Sequence, residues 1–150
     1  MREAIGGTWL FTIVIVFIVL FSSYLAISVN YSKAFKVKNG IVDLIEQNEG
    51  LSSETQTQIS NYLDKTGYFV YGECNSKDGE KGYESKGAGN NYKYCVVKTN
   101  AANEELVAGS TVERAYYKVK VFFRLDLPVL GDIFTFPVTG QTKAIYYAKD

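Results

Sequence analysis

Two cysteines and the absence of histidine set the limits of the chemistry open to this chain. Without His there is no side chain that ordinarily exchanges a proton near neutral pH. A Ser-His or Cys-His nucleophile pair and the commonest neutral metal ligand are lacking too. Cys74 and Cys95 enclose 20 residues, and each falls at the end of a predicted strand facing the same loop. A bond between them would close the base of a hairpin, worth about 3 kcal/mol in the chain-entropy account. The plain alternative is two unpaired core thiols. A zinc centre would need more ligands than two distant sulfurs supply. The disulfide is the expectation, and it would place its domain in an oxidising, extracytoplasmic space.

The remaining candidates are weaker. Asn75, Asp78, Glu80 and Glu84 could meet a hard cation, but the alternating Asp spacing of a calcium loop is missing, and a charged surface loop is the default. Glu104, Glu105 and Glu113 offer carboxylates with no nucleophile or orienting partner in sight. Gly87-Ala88-Gly89-Asn90-Asn91 has the glycine content of a nucleotide loop without a strand before it and a helix after it. No catalytic residue, cofactor or metal site is therefore expected. With 16 basic and 16 acidic residues the net charge is zero, so the totals carry no electrostatic footprint for nucleic acid. Twelve Tyr residues, each with an apolar face and a water-tolerant hydroxyl, suit exposed sheets and contact surfaces.

The elements that must carry these residues begin with an anchor. No charged residue occurs from Ala4 to Ser32, and thirteen Leu, Ile, Val or Phe residues fall within 9–27. At roughly −0.5 kcal/mol each they contribute about −6 kcal/mol toward insertion as a membrane-spanning helix. Trp9 and Tyr31 are 22 residues apart, about 33 Å of helix, and they are expected at the two membrane interfaces. A cleaved secretory signal is the competing assignment. Its basic region would be Arg2 alone, opposed by Glu3, and Ala26-Ile27-Ser28 would be its cleavage site. The apolar run exceeds the usual signal core of about 7–15 residues, so an uncleaved anchor fits better. Ser22 and Ala26 have the small-xxx-small spacing of helix contacts, a weak signal.

Residues 1–32 thus form a transmembrane helix, and 33–150 a domain outside the cytoplasm. Lys33, Lys36 and Lys38 argue the other way, since basic residues favour the cytoplasmic side. The cysteine pair, the Tyr-rich sheet and the short N-terminal tail are given more weight. Ala34, Val37, Ile41, Leu44 and Ile45 recur at helical spacing, so the helix should continue as an amphipathic stalk to about residue 48. Asn39-Gly40 could kink it. A short helix over about 53–66 follows, with Ser53 through Gln56 as capping box, Ile59, Tyr62 and Leu63 as its apolar face, and Gly67 as its left-handed end.

Strands are expected from about residue 68 to 147. The spans are 68–73, 92–98, 117–127 and one or two more over 133–147, where Pro137 and Gly140 imply an edge or a bulge. The best of these alternates Val119, Val121, Phe123, Leu125 and Leu127 with Lys118, Lys120, Phe122, Arg124 and Asp126. Residues 127–132 suit a turn, and 100–110 a linker or short helical turn. The expected class is α+β: a long membrane-spanning helix continuing into a stalk that packs on a small antiparallel sheet.

This layout resembles the TadE-like minor pilins (pseudopilins) of tight-adherence, type IVc pilus systems. The likeness is carried by Gly6-Gly7-Thr8-Trp9 ahead of the apolar run, the helical extension, residues 117–131, and Phe136-Pro137-Val138-Thr139-Gly140. Prepilins usually carry Glu at the fifth mature position, whereas a cut after Gly6 places Phe11 there. The resemblance implies a pilin-like fold and a structural, adhesive role without catalysis. Its partners would be the lipid bilayer, other pilin-like subunits and pilus assembly proteins, at a bacterial cytoplasmic membrane. The competing class is a membrane-tethered binding or sensory domain that uses the loop between Cys74 and Cys95.

Overall fold

Helix α1 runs without interruption over Arg2–Gln47, about 69 Å of helix. The computed structural model describes residues 2–87, 89–100, 112–127 and 131–148. The first half of α1 is long and apolar enough to cross a membrane, and its large side chains stand exposed, Trp9 at 70% and Phe17 at 66%. The second half is amphipathic. Ala34, Val37, Ile41 and Ile45 are buried on one face, while Leu44 packs partly against the same core.

Asn39 and Gly40 leave the helix unbroken. The glycine serves packing instead, because a Cβ there would sit 2.4 Å from the ring of Tyr62. Tyr62 belongs to α2, Ser53–Thr66, and its hydroxyl donates to the Lys36 carbonyl at 3.3 Å. Helix α2 returns antiparallel along α1. Asn48 Nδ2 meets Gln58 Oε1 at one end, and Lys33 Nζ meets the Gly67 carbonyl at the other. Its N-cap is Ser52, one residue earlier than the capping box expected at Ser53. The Thr55 N–H donates to Ser52 Oγ at 3.1 Å, and Thr55 itself is fully buried. Gly67 takes the left-handed conformation as expected (φ 63°), and its N–H and that of Tyr68 close the helix end.

The sheet is antiparallel. Its strands are β1 (Gly72–Glu73), β2 (Lys81–Ser85), β3 (Asn91–Asn100), β4 (Val112–Leu127), β5 (Gly131–Gln141) and β6 (Ile145–Ala148). A single 3-10 turn, Ser76–Asp78, lies between β1 and β2. The order is β1-β3-β4-β5, with β2 paired to β3 and β6 to β4. The strand expected over 68–73 shrinks to two residues, since Tyr68 turns into the core. Its hydroxyl bonds the Phe122 carbonyl and accepts the Phe122 N–H, and burial pushes its pKa upward against the opposing effect of that backbone bond. The region over 133–147 divides in two at Thr142, whose Oγ1 accepts the Tyr117 N–H in place of a ladder carbonyl. Among the described strands β5 pairs with β4 alone, so Pro137 lies on an edge.

The core lies between α1, α2 and the inner sheet face. Val37, Ile41 and Ile45 meet Ile59 and Leu63 from α2, and Tyr94, Val96, Val119 and Val121 from the sheet. The side chains of Leu125 and Leu127, the last members of the expected apolar row, lie outside the described residues, as do 101–111 and the carboxylates of Glu104, Glu105 and Glu113. The anchor-plus-sheet α+β arrangement expected from the sequence is the one observed.

Candidate functional site

Cys74 and Cys95 are bonded, with Cα atoms 5.7 Å apart. Tyr94 and Val96 face the core, so Cys95 between them points to the opposite face of the sheet, where it is fully buried. The chain between the two cysteines covers it. Asn75 caps the 3-10 turn by accepting the Lys77 N–H, and Glu80 Oε2 accepts the Asn75 N–H at 2.6 Å and pairs with Lys120. Both partners of that ion pair are largely shielded, with side chains 16% and 12% exposed.

The loop is more ordered than its composition suggests. β2 pairs with β3 from Lys81↔Val96 to Ser85↔Tyr92, and Tyr83 stacks on Tyr94 with centroids 5.2 Å apart. Burial raises the pKa of both phenols; Tyr117 adds to the effect at Tyr83, and Glu84 and Tyr83 add to it at Tyr94. The chain between the two cysteines therefore contains a strand, and Gly87, Gly89 and Asn90 lie in the turn that joins it to β3.

Asn75, Asp78 and Glu80 are brought together, but the candidate cation ligands are occupied by protein partners. Asn75 Nδ2 donates to Asp78, Glu80 pairs with Lys120, and Glu84 turns to Lys93. Glu80 does approach the two sulfurs, but those are spent in the disulfide and leave one carboxylate, too few donors for an ion. Lys93 is the residue that sequence inspection missed. Its side chain is 8% exposed and bridges Glu84 and Asp64, joining β2, β3 and α2. Burial alone would lower its pKa, but hydrogen bonds and charge from Glu84 and Asp64 outweigh that, and the net direction is upward. The placement of Lys93 between Tyr92 and Tyr94 in a strand was the available signal, since a cation mid-strand needs a partner once shielded.

Replacing Lys93 with Met should cost about 2 kcal/mol, less than the roughly 3–5 kcal/mol for breaking a fully buried pair, because Glu84 keeps a 24% exposed side chain. A second change, Glu84→Gln, should restore most of the loss in urea unfolding. A raised lysine stabilises the fold completely below its unfolded value of 10.5, and that contribution fades only as pH rises past the folded value. Between pH 7 and pH 9 the contribution is therefore constant, and unfolding midpoints should show no pH dependence from this pair.

At the other end of the domain α1 meets the sheet through aromatic rings. Tyr31, expected only as an interface residue, also stands edge-on to Phe123 at 5.6 Å, and Phe123 stacks on Phe136 at 5.5 Å. A cavity of about 200 Å³ opens beside them between α1 and β4, with Lys33 and Arg124 among its walls. It is smaller than the range of roughly 300–1,000 Å³ usual for small-molecule sites, whereas an open cleft of about 420 Å³ between Glu73, Asn91, Lys120 and Thr135 falls within it. The stalk residues Val37, Ile41 and Ile45 are spent inside the domain, and the exposed apolar surface of α1 lies mainly on its first half and reaches Phe35. Among the described residues no nucleophile is held by a base. No protein-family model, curated protein or solved structure matches the chain.

Proposed function

We propose that this chain is a pilin-like subunit of a bacterial envelope pilus or secretion assembly, similar to the TadE-like minor pilins, and structural and adhesive in role. The supporting observation is α1: one helix whose exposed apolar half is suited to a bilayer and whose other half is the core of a disulfide-closed sheet domain. That arrangement lets an anchor and a displayed surface move as one unit, which a structural subunit needs and an enzyme does not. The domain faces the extracytoplasmic side, where a disulfide persists.

The test is capture from gently solubilised envelopes. A subunit of this kind should travel with pilus or secretion-assembly proteins, and protease added to spheroplasts should digest the domain while sparing the span. Isolation without such proteins, or protection until lysis, would count against the assignment. The ordering of β2 by the disulfide and by Lys93 favours one second reading, a membrane-tethered binding domain whose recognition element is the loop between Cys74 and Cys95. It predicts capture of a ligand and no assembly proteins.

A further inference from the structure

We propose that the turn end of the β4–β5 hairpin is a second membrane contact, with Phe134 and Phe136 seated in the headgroup and acyl boundary of the bilayer. The inference rests on the reading of α1 as a span and adds to it a second point of attachment.

Three contacts align the hairpin with α1. The Lys143 N–H donates to Glu46 Oε1 at the far end, Gly140 lies against the stem of Lys38, and Phe123 meets Tyr31. Gly140 is the cross-strand partner of Val119. The four residues from Val119 to Phe123 cover about 13 Å of strand, while the seven from Lys38 to Tyr31 cover about 10 Å of helix. The two elements therefore run side by side. The ladder continues beyond Phe123 to Leu127↔Gly131, another 13 Å or so, which corresponds to about nine helical residues and reaches the level of Ser22 and Ser23. Ser23, Ala26, Ile27 and Asn30 are half-buried at helical spacing, in line with the face that carries Ala34, Val37 and Ile41.

A hydrocarbon core of about 30 Å takes roughly 20 helical residues. Counted from Ala4, where the uncharged run begins, it ends near Ser23, and the hairpin's turn end touches the bilayer surface. Counted back from Tyr31, it begins near Phe11, and the turn end enters the bilayer. Both placements bring that end to lipid.

Its chemistry fits a bilayer better than water. Phe134 is 58% exposed and Phe136 40%, and they continue an aromatic row through Phe123 and Tyr31 to Phe35. Aromatic rings favour the membrane–water boundary, and Lys33, Lys36 and Arg124 at this end suit anionic headgroups. A second copy of the chain could also cover such rings, but continuity with the span singles out lipid.

The test uses the full chain with Trp9→Phe, which removes the sole Trp, reconstituted in phosphatidylcholine and phosphatidylglycerol vesicles. Phe134→Trp should lose most of its emission to lipids brominated near the headgroup and resist acrylamide. Tyr146→Trp, at the far end, should behave oppositely. Phe17→Trp reports on the span itself through lipids brominated deep in the chains. If Phe17→Trp is quenched by those lipids while Phe134→Trp responds to acrylamide alone, the second contact is refuted and the span stands. If Phe17→Trp responds to acrylamide alone, both fall. Protection of Phe134→Trp that rises with the protein-to-lipid ratio, without bromolipid quenching, would give the patch to a second copy and overturn the proposal. Intact disulfides on non-reducing gels confirm folding of each variant.

Discussion

Ile41→Asp should unfold the sheet domain and leave the chain membrane-bound. Ile41 is completely buried between α2 and the inner face of β3 and β4, so the substitution removes a packed side chain and strands a carboxylate. Losing the aliphatic contacts costs about 2–5 kcal/mol. Burying an unpaired acid adds a similar penalty unless it is protonated. Together these reach on the order of 5 kcal/mol, the lower bound of the whole stability of an ordinary domain. Limited proteolysis in detergent should cut the variant throughout the sheet under conditions that spare the parent. Ile41→Val should shift the midpoint by only about 1 kcal/mol. Sedimentation with membranes should persist, because the exposed apolar half of α1 is untouched. An Ile41→Asp variant as protease-resistant as the parent would remove α1 from the core. A stripe of this kind could face either its own sheet or a neighbouring subunit. The burial of Val37, Ile41 and Ile45 within one chain assigns it to the sheet.

Opening the disulfide should have the second largest effect. The paired Cys74→Ser and Cys95→Ser change releases a loop of 20 residues, worth about 3 kcal/mol in the chain-entropy account. At about 4 °C per kcal/mol for a domain of this size, the melting temperature should fall by roughly 10 °C. The loss should be largest around β2, whose pairing to β3 is held by that bond at one end. Hydrogen exchange should show early exposure of residues 81–85 in the variant, with β4 still protected. Uniform exchange across β2 and β4 would mean that the loop and the core open together.

What could be seen in the sequence followed the range of the interactions. The apolar helix, the stalk stripe and the β4 alternation are local patterns, each repeated over several turns or pleats; the helix and stripe appear where expected, and Val119 and Val121 of the β4 row are buried, though Phe122 of the opposite row is buried too. The disulfide was legible because the two cysteines bracket one loop beside expected strands, although Cys95 lies in the middle of β3 and not at a strand end. β2 was not, since Lys-Gly-Tyr-Glu-Ser has no alternation of its own and becomes a strand only beside β3. Gly40 looked like a break because propensity sees only the lost methyl group, whereas the space it leaves belongs to Tyr62. Of two consecutive serines, Ser52 caps α2 because Thr55 is the residue drawn into the core, a choice made by packing. Lys93 required two partners 9 and 29 positions away, a separation that no periodicity records.

The unbroken course of α1 makes the domain a lever. No linker separates the apolar segment from the residues that build the core, so any tilt of one is a tilt of the other. Spanning helices lean on average about 20° from the bilayer normal, and more when the bilayer is thin for their length. From Tyr31 to Gln47 the helix rises about 24 Å, so a lean of 20° carries its outer end about 8 Å sideways. Bilayer thickness would thereby set the direction in which the disulfide loop is presented to whatever lies beyond the membrane.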